Sequence, residues 1–191
     1  MPPAMKRLLL FWGEVLRNPR RVGSLVPSGQ ALGGAVANTV METTPGYVVE
    51  IGAGTGAITG ALAKISHHFA AFSIVEKSPR MAGMLARRFP QAQIIAGCAS
   101  LLRQTSFPND LPLTLVSSLP FRSLPRFEHE EITRMIEQLG RHEGGFRFIQ
   151  YSYLRGEPFQ INTPGLQWRR RKMIIANVPP ATIWILQRNH R

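Results

Sequence analysis

The stretch that decides the fold is Val48-Val49-Glu50-Ile51-Gly52-Ala53-Gly54-Thr55-Gly56-Ala57. It begins in a short apolar run that is typical of a buried strand, and a segment of helical pattern follows the glycines. Glycines at the junction of a strand and a helix allow a sharp turn, and they let a ligand approach the backbone closely. The stretch therefore predicts a strand, a glycine loop over residues 52–56 that binds a ligand, and a helix.

Short apolar runs alternate with stretches of helical length on the C-terminal side of this loop. Strands that alternate with helices predict a parallel sheet with helices on both faces. The end of the chain differs, because Pro179-Pro180 joins two strand-like runs directly and so predicts an antiparallel hairpin at the sheet edge. The expected strands are 47–51, 71–75, 93–96, 113–117, 146–151, 168–178 and 181–187.

Two glutamates accompany the glycine loop. Glu50 stands two residues before the first glycine, and Glu76 closes the next apolar run, about 20 residues after the glycines. A carboxylate at the second place can accept hydrogen bonds from both ribose hydroxyls of a nucleotide-like ligand. Glu50 is expected to be buried, either with backbone partners or close to the ligand. Because burying an acid without a partner is costly, we favour the place close to the ligand.

A dinucleotide would use the same place, but its usual fingerprint is Gly-x-Gly-x-x-Gly, which differs from the even spacing here. That spacing and the terminal hairpin resemble the class I S-adenosylmethionine-dependent methyltransferases. The resemblance implies a Rossmann-like α/β fold, with a seven-stranded, mostly parallel sheet that ends in an antiparallel hairpin. It also implies S-adenosylmethionine as the cofactor and S-adenosylhomocysteine as the product. The cofactor-binding residues that it implies are Glu50, Gly52, Gly54, Gly56, Glu76, Lys77, Cys98, Ala99 and Ser118.

Each of these residues would contact a different part of the cofactor. The three glycines would surround its carboxypropyl and ribose portions. Glu76 would bind its ribose hydroxyls, and Lys77 would flank the adenine. In many members of the class an Asp after the third strand accepts a hydrogen bond from the adenine, and here Cys98 stands at that place. A thiol is a poor substitute, so the backbone of Cys98 and Ala99 is the expected contact. The alternative for Cys98 is a small buried hydrophobic residue.

A polar turn follows the fourth strand, with the sequence Ser-Ser-Leu-Pro-Phe over residues 117–121. It resembles the Asn-(Pro/Leu/Ile)-Pro-(Tyr/Phe) signature of enzymes that methylate exocyclic amino groups. The resemblance implies that Ser118 and a backbone carbonyl hold the amine, while Phe121 faces it through its ring. Ser118 stands where the signature has Asn, which weakens the match to adenine methyltransferases that act on nucleic acids. The alternative is a rigid proline turn with Phe121 in the core.

The N-terminal region is expected to form a helical segment over residues 1–40, ahead of a methyltransferase domain over 41–191. Residues 5–18 separate into an apolar and a basic face at about 100° per residue. A helix over about 4–18 would lie in a membrane interface, or pack on the core through the same apolar face. A loop over 20–28 and a second helix to about Thr39 follow. The membrane candidates are Lys6, Arg7, Leu8, Phe11, Trp12 and Val15.

Composition narrows the class of partner. The 191 residues include 23 Lys and Arg against 11 Asp and Glu, a net charge of +12 that favours nucleic acid or an anionic membrane surface. No apolar run approaches the roughly 20 residues that span a bilayer. The one cysteine, Cys98, excludes an intramolecular disulfide and indicates a reducing compartment. His and Cys are too scattered for a zinc site of ordinary spacing, so no metal is expected.

A narrower resemblance covers essentially the full chain. Residues 17–28 (Arg-Asn-Pro-Arg-Arg-Val-Gly-Ser-Leu-Val-Pro-Ser), 118–125 and 148–153 are similar to the short bacterial phospholipid N-methyltransferases. Members of this family methylate the amine of phosphatidylethanolamine, and some continue to phosphatidylcholine. The resemblance implies a cytoplasmic enzyme bound peripherally to the inner face of a bacterial cytoplasmic membrane.

Such a substrate needs an aromatic amine pocket, cations for its phosphate and a membrane foothold. Candidates for the amine pocket are Ser118, Phe121, Tyr151 and Tyr153, since methylated amines suit aromatic faces. Candidates for the phosphate are Arg20, Arg21 and Arg155, each of which is also typical of an ordinary surface arginine. Residues 169–172 (Arg-Arg-Arg-Lys) are expected to form a solvated strand edge, and their charge could add to the attraction toward a membrane.

Two rival functions stay open. An RNA adenine N6-methyltransferase would suit the positive charge and the Ser-Leu-Pro-Phe turn, but no helical domain follows the hairpin to hold RNA, and nucleic acid is therefore the less expected partner. A non-catalytic binding protein on a methyltransferase scaffold would suit the departure at Cys98.

Overall fold

The computed structural model describes residues 26–153, 156–175 and 180–188. Seven strands in these ranges form one sheet in the order β3-β2-β1-β4-β5-β7-β6. The first five are parallel, and β7 runs antiparallel to both β5 and β6. The predicted seven-stranded, mostly parallel sheet is confirmed. The strands are β1 (Tyr47–Ile51), β2 (Ala71–Glu76), β3 (Gln93–Ala96), β4 (Leu113–Ser117), β5 (Phe146–Ser152), β6 (Leu166–Ile174) and β7 (Ala181–Arg188).

The helices connect the strands as the alternating pattern predicts. The first of them begins at Val26, inside the loop expected over 20–28, so that boundary was wrong. Pro27 lies in its first turn, where a proline costs no hydrogen bond because those N–H groups have no helical acceptor. The helices are α1 (Val26–Val40), α2 (Thr59–Ile65), α3 (Pro79–Arg88) and α4 (Arg126–Leu139), with short 3₁₀ helices at Ser66–His68, Ala99–Gln104 and Phe121–Ser123.

The C-terminal strands pair antiparallel, as predicted, but their bounds differ from the expectation. β6 starts before residue 168 and ends at Ile174, with an irregular register between Arg170 and Lys172. β6 is the edge strand, and β7 lies inside it against β5, where Tyr151 pairs with Ile183. Because β6 runs in the direction of β5, its last residues lie at the carboxyl ends of the parallel strands.

Two apolar cores cover the two faces of the sheet. Val48, Val116 and Ile149 belong to the first core, which α1 and α2 cover. Alternate residues of the same strands belong to the second core, together with the buried side of α4. Successive side chains of a strand point to opposite faces, so Glu50 shares the first core with Val48. A carboxyl group therefore lies inside a mainly apolar layer.

The direction of α1 follows from its contacts with β5. The guanidinium of Arg147, near the amino end of β5, donates to the Thr39 carbonyl at 3.0 Å and to the Val40 carbonyl at 3.4 Å. The C-terminus of α1 therefore lies at the amino ends of the strands. A Cβ at Gly33 would lie 3.1 Å from Ala61 Cβ, so the middle of α1 crosses α2 and its N-terminus extends toward the carboxyl ends.

Several predicted residues lie outside the described ranges. They are the helix expected over 4–18 with its candidates Lys6, Arg7, Leu8, Phe11, Trp12 and Val15, and the phosphate candidates Arg20, Arg21 and Arg155. Within residues 26–153, 156–175 and 180–188, no helix has the length and the apolar character that crossing a membrane requires.

Candidate functional site

The glycine loop lies at the carboxyl ends of the parallel strands, between β1 and α2. Gly54 has a φ of +55°, a conformation that L side chains rarely adopt, and a Cβ there would meet no protein atom within 4 Å. Gly52 differs, since a Cβ there would collide with the side chain of Leu119 from the turn after β4. Gly52 thus allows two loops to pack closely, whereas Gly54 leaves open space beside the backbone.

Glu76 ties this loop to the start of α3. Its carboxylate accepts from the Gly54 N–H and from the Ser78 N–H, both at 2.8 Å, and its side chain is buried. Each carboxylate oxygen can accept a further hydrogen bond beyond these. The acid at the end of the second strand is therefore held in place by the glycine loop, with acceptor capacity to spare.

Glu50 is the most unusual group of the site. It has no solvent exposure, and one carboxylate oxygen, Oε2, accepts from the Thr59 hydroxyl at 2.6 Å. The other oxygen, Oε1, is buried without a hydrogen-bond partner. Burial raises the pKa of Glu50 to about 7, against the hydrogen bond from Thr59, and the charge of Glu76 raises it further. The backbone of Thr59 also favours the ionised form of Glu50, but Oε1 stays without a partner, so backbone contacts leave part of the carboxylate unsatisfied.

Ser118 lies between Glu50 and the end of β5. Its hydroxyl is buried without a hydrogen-bond partner. Its proximity favours the ionised forms of both Glu50 and Tyr151, although neither contact has the geometry of a hydrogen bond. Burial is the larger effect on Tyr151 and raises the pKa of its phenol above the ordinary value. The Tyr153 ring lies edge-on to that of Tyr151, with centroids 5.8 Å apart.

The structure thus brings together three of the four residues expected around the amine, but not Phe121. The Phe121 ring is buried in the second core and stacks on Phe159, with centroids 4.1 Å apart. His129 and Phe148 contact its ring edge-on. The expectation that Phe121 faces the amine was wrong, because its ring is enclosed by other aromatic rings beneath the turn.

The residues expected beside the adenine lie after β2 and β3, which are neighbours in the sheet. Cys98 is half-buried and Ala99 is buried, next to the strand pair in which Glu76 lies opposite Ala96. The Lys77 ammonium is directed to Glu128 of α4, at 2.7 Å. Glu76, Cys98 and Ala99 therefore share one end of the sheet with the glycine loop, while the charged end of Lys77 binds a helix.

Sequence analysis missed two polar residues of this site. Thr59, in the first turn of α2, donates its hydroxyl to Glu50 Oε2. Gln150 of β5 donates to the Leu119 carbonyl at 3.2 Å and to the Tyr151 carbonyl at 2.8 Å, and its own Oε1 is buried without a partner. A glutamine inside an apolar strand is the signal that could have identified the second.

The residues at this end of the sheet fit the predicted cofactor. Open space at Gly54 would admit a ligand against the backbone, and Glu50 Oε1 and Ser118 Oγ offer unpaired polar atoms in a buried place. A ligand that carries an ammonium group would compensate the burial of Glu50. In the described part of the chain, no three His, Cys, Asp or Glu side chains are grouped as metal ligands.

Comparison with known proteins supports the same assignment, although no model of a protein family matches the chain. An ornithine lipid N-methyltransferase from Singulisphaera acidiphila is 28% identical over 150 residues, which are 76% of this chain and 78% of that protein. A ribosomal RNA small subunit methyltransferase A from Chlorobium phaeobacteroides is 29% identical over 84 residues, 44% of this chain but only 30% of that protein.

A solved structure has the same fold over nearly its whole length. The N-methyltransferase NodS from Bradyrhizobium japonicum, in complex with S-adenosylhomocysteine, superposes with a TM-score of 0.62. The match covers 91% of this chain and 93% of that one at 14% identity. The cofactor product in that relative supports the predicted cofactor. The chain has the class I methyltransferase fold, and its predicted resemblance to bacterial lipid N-methyltransferases is confirmed.

Proposed function

We propose that the protein is an S-adenosylmethionine-dependent N-methyltransferase that acts on the amine of a membrane lipid, with phosphatidylethanolamine as the expected substrate. The observation that carries the proposal is the group of unpaired buried polar atoms on Glu50 and Ser118, next to two tyrosine rings and the open glycine loop. The similarity to an ornithine lipid N-methyltransferase supports a lipid amine as the acceptor.

The chain's residues would hold the cofactor at three points. Gly54 would admit it against the backbone, Glu76 would accept from its ribose hydroxyls, and Glu50 would lie at its methionine end. The cofactor, when bound, supplies a methyl group on a positively charged sulfur, which is already a good leaving group. The protein therefore needs mainly to position and desolvate the amine. Positioning of this kind can lower the activation free energy of methyl transfer substantially.

The amine would enter between the turn after β4 and the end of β5. Ser118 Oγ would accept a hydrogen bond from the amine and so direct its lone pair toward the cofactor. The rings of Tyr151 and Tyr153 would exclude water and offer their faces to the methylated product, which is cationic. Glu50 would be occupied by the methionine end of the cofactor, so the released proton would pass to water or to a pocket carbonyl. No metal or covalent nucleophile is required.

The remaining parts of the proposal concern the membrane. The helix expected over 4–18 would hold the protein peripherally on the inner face of a bacterial cytoplasmic membrane, through its apolar side and its basic side chains. Arg20, Arg21 and Arg155 would contact the lipid phosphate. A net charge of +12 supports attraction to such a surface.

RNA is the second candidate substrate. The partial match to a ribosomal RNA methyltransferase and the Ser-Leu-Pro-Phe turn favour it, and a positive chain would bind RNA without sequence preference. In this alternative, Ser118 and the Leu119 carbonyl would hold the exocyclic amino group of an adenine.

A labelling experiment tests the proposal. The full chain is incubated with methyl-labelled S-adenosylmethionine and, separately, with vesicles containing phosphatidylethanolamine, vesicles containing ornithine lipid, or total bacterial RNA. We expect label in the lipid fraction that contains an amine and none in vesicles of phosphatidylglycerol alone. Label in RNA with none in lipid would replace the proposal by the alternative. Binding of S-adenosylhomocysteine without transfer to any acceptor would favour a non-catalytic protein.

A further inference from the structure

We propose that the end of the edge strand β6 is a second membrane-docking surface, made by Lys172, Met173 and Ile175 and suited to an anionic lipid bilayer. We name these three residues the β6 patch. The inference rests on the proposed lipid substrate, since it explains how the folded domain would reach a lipid amine, and it uses none of the residues expected in the helix over 4–18.

Exposure is the first observation. Five large apolar side chains are exposed in the ranges that the structure describes, and two of them, Met173 at 46% and Ile175 at 75%, lie within three residues of each other. Ile174 between them is buried in the first core. Two exposed apolar side chains therefore flank a residue that anchors the strand end, so the patch has a fixed position.

Charge is the second observation. Residues 169–172 are four consecutive cations, and the strand that carries them is exposed over most of its length. Glu42 lies near this run, but its carboxylate already binds Arg171 at 2.8 Å and Arg147 at 3.7 Å. Lys172 has no carboxylate within ion-pair distance in the described part of the chain. Successive residues of a strand face opposite sides, so Lys172 lies on the face of Ile174 and Met173 on the other, and a bilayer meets both only at the end of the strand. Cations next to exposed apolar side chains are the combination that binds the interface of an anionic bilayer.

Position is the third observation. Lys172 pairs with Ile183, and Ile183 pairs with Tyr151, so Lys172 lies two strand spacings, about 10 Å, from the proposed amine pocket. Met173 and Ile175 continue toward the carboxyl ends of the strands, where the glycine loop lies. A bilayer on the β6 patch would therefore present its head groups at the height of Tyr151 and Tyr153.

Protection of a sheet edge is the competing explanation. Edge strands often carry Lys or Arg to prevent pairing with other chains, and the cations of β6 would serve that purpose. Exposed methionine and isoleucine at the same edge would work against it, because they favour association. Edge protection therefore does not explain the apolar pair, whereas an anionic lipid surface would use both the pair and the cations next to it.

Vesicle binding of the full chain tests the inference. The variant combines Lys172→Glu with Ile175→Ser, and the control combines Arg141→Glu with Met41→Ser. The control makes the same kinds of change in exposed residues at the opposite end of the sheet. We expect the variant to lose about tenfold or more of its partitioning to vesicles of phosphatidylglycerol and phosphatidylcholine, because both charge and apolar contact are removed. The control should lose less than about twofold.

A second measurement separates this inference from the proposed function. Methylation of the lipid amine is measured in micelles of a neutral detergent, where docking to an anionic surface is not needed. The variant should match the wild type there and fall behind it on anionic vesicles. Variant and wild type that partition equally to vesicles would overturn the β6 patch. A wild type inactive on lipid in both media would overturn the proposed function, while partitioning still decides the patch. Binding of both proteins to immobilised total bacterial RNA is measured in parallel. A variant that loses RNA binding but keeps vesicle binding would assign the patch to a polynucleotide and overturn the lipid proposal.

Discussion

Single residues of the site combine burial with unmet hydrogen-bonding capacity. Glu50 and Ser118 each keep a buried oxygen without a partner, and so does Gln150 of β5. Leaving a buried polar group unsatisfied costs roughly 1–3 kcal/mol, and more when the group is charged. Such groups lower the stability of the protein without ligand, and a polar ligand that pairs with them would restore that stability.

Glu50→Gln tests this cost through its pH dependence. Below pH 4.5 the Glu50 carboxyl is neutral in both the folded and the unfolded chain, so burial adds no ionisation cost. Between pH 4.5 and about 7 the unfolded chain loses its proton first and the folded state loses relative stability, up to about 3 kcal/mol above pH 7. The variant should therefore be more stable than wild type by about 3 kcal/mol at pH 8 and similar at pH 4.

Urea denaturation at the two pH values measures this difference. Glu157→Gln, a change in an exposed acid, is the control and should shift the free energy of unfolding by less than about 0.5 kcal/mol at either pH. Calorimetry should also show that Glu50→Gln weakens S-adenosylhomocysteine binding about tenfold or more. A variant that is no more stable at pH 8 than at pH 4, relative to wild type, would contradict the assigned pKa.

Gly54→Ala tests the open space in the glycine loop. The new Cβ would meet no protein atom within 4 Å, so the folded chain suffers only from the positive φ, at a cost of about 1–2 kcal/mol. We expect S-adenosylhomocysteine affinity to fall by about a hundredfold, because the Cβ occupies the place proposed for the ligand.

Gly165→Ala is the matched control for Gly54→Ala. Gly165 also has a positive φ, of +85°, with nothing within 4 Å of its Cβ, but it precedes the amino end of β6, far from the loop. The two variants should lose similar stability, while only Gly54→Ala loses cofactor affinity in calorimetry. Equal affinities in the two variants would place the cofactor elsewhere.

Among the elements, the end of β5 is the one where a substitution should affect the lipid substrate without affecting cofactor binding. Tyr153→Ala should lower kcat/KM for the lipid amine about tenfold or more, which is the size expected from a lost cation–π contact of roughly 1.5 kcal/mol. S-adenosylhomocysteine affinity should change less than about twofold. Tyr153→Phe should keep most of the activity, since it retains an aromatic face.

Phe127→Ala on α4 is the control for the β5 variants, because its ring is 74% exposed and lies on the other side of the sheet. Steady-state assays with varied lipid and varied cofactor separate the two KM values. If Tyr151→Ala and Tyr153→Ala both retain wild-type turnover in folded protein, the amine binds elsewhere.

The C-terminus of α1 depends on one buried arginine. Arg147 caps it by donating to the Thr39 and Val40 carbonyls and to the Thr43 hydroxyl at 2.8 Å. Burial lowers the pKa of its guanidinium, while the charge of Glu42 opposes that effect. Arg147→Met should destabilise the fold by about 2–4 kcal/mol, because it leaves those buried carbonyls without their donor and Glu42 with only its exposed partner Arg171.

Arg171→Met is the matched control, since it removes the exposed partner of the same Glu42. It should cost less than about 1 kcal/mol, as an exposed ion pair does. Thermal or urea denaturation measures both variants. Equal destabilisation by the two changes would mean that the contact of Arg147 with α1 contributes nothing beyond its charge.

The order of elements could be predicted from the sequence, but the interior contacts could not. Periodicity and the glycine loop fixed β1 to β5 to within a residue or two, because each local pattern agrees with the sheet. The sequence did not show which strand of the C-terminal pair lies against β5, although the four consecutive cations over 169–172 are typical of a solvent-exposed strand. The places of Arg147 and Phe121 depend on residues distant in the chain, such as Thr39 for Arg147 and Phe159 for Phe121, and no local pattern encodes those contacts.

Taken as a whole molecule, the protein concentrates its proposed functions at one end of the sheet. The glycine loop, the tyrosine pair and the β6 patch all lie at the carboxyl ends of the parallel strands, and the N-terminus of α1 is directed there too. Ligands of open α/β sheets bind at this end in general. A lipid amine delivered from a bilayer would therefore meet the cofactor without leaving the membrane surface.

Deletion of residues 1–18 tests whether the N-terminal segment is needed for activity on membranes but not for folding or cofactor binding. If the helix expected over 4–18 lies in the membrane interface rather than on the core, the truncated protein should stay folded and bind S-adenosylhomocysteine with nearly unchanged affinity. Its methylation of lipid in vesicles should be abolished, because the expected interfacial helix contributes apolar burial and roughly 1 kcal/mol for each basic residue near the surface.

Charge reversal in the full chain isolates the electrostatic part of the same prediction. Lys6→Glu with Arg7→Glu should weaken binding to anionic vesicles, and added salt should weaken the wild type in the same direction, since salt screens exposed charges. The melting temperature should barely change. Full-rate methylation of vesicle lipid by the truncated protein would show that the helix is not the membrane foothold. Unfolding on truncation would instead assign the helix to the core, which is the alternative that its amphipathic pattern leaves open.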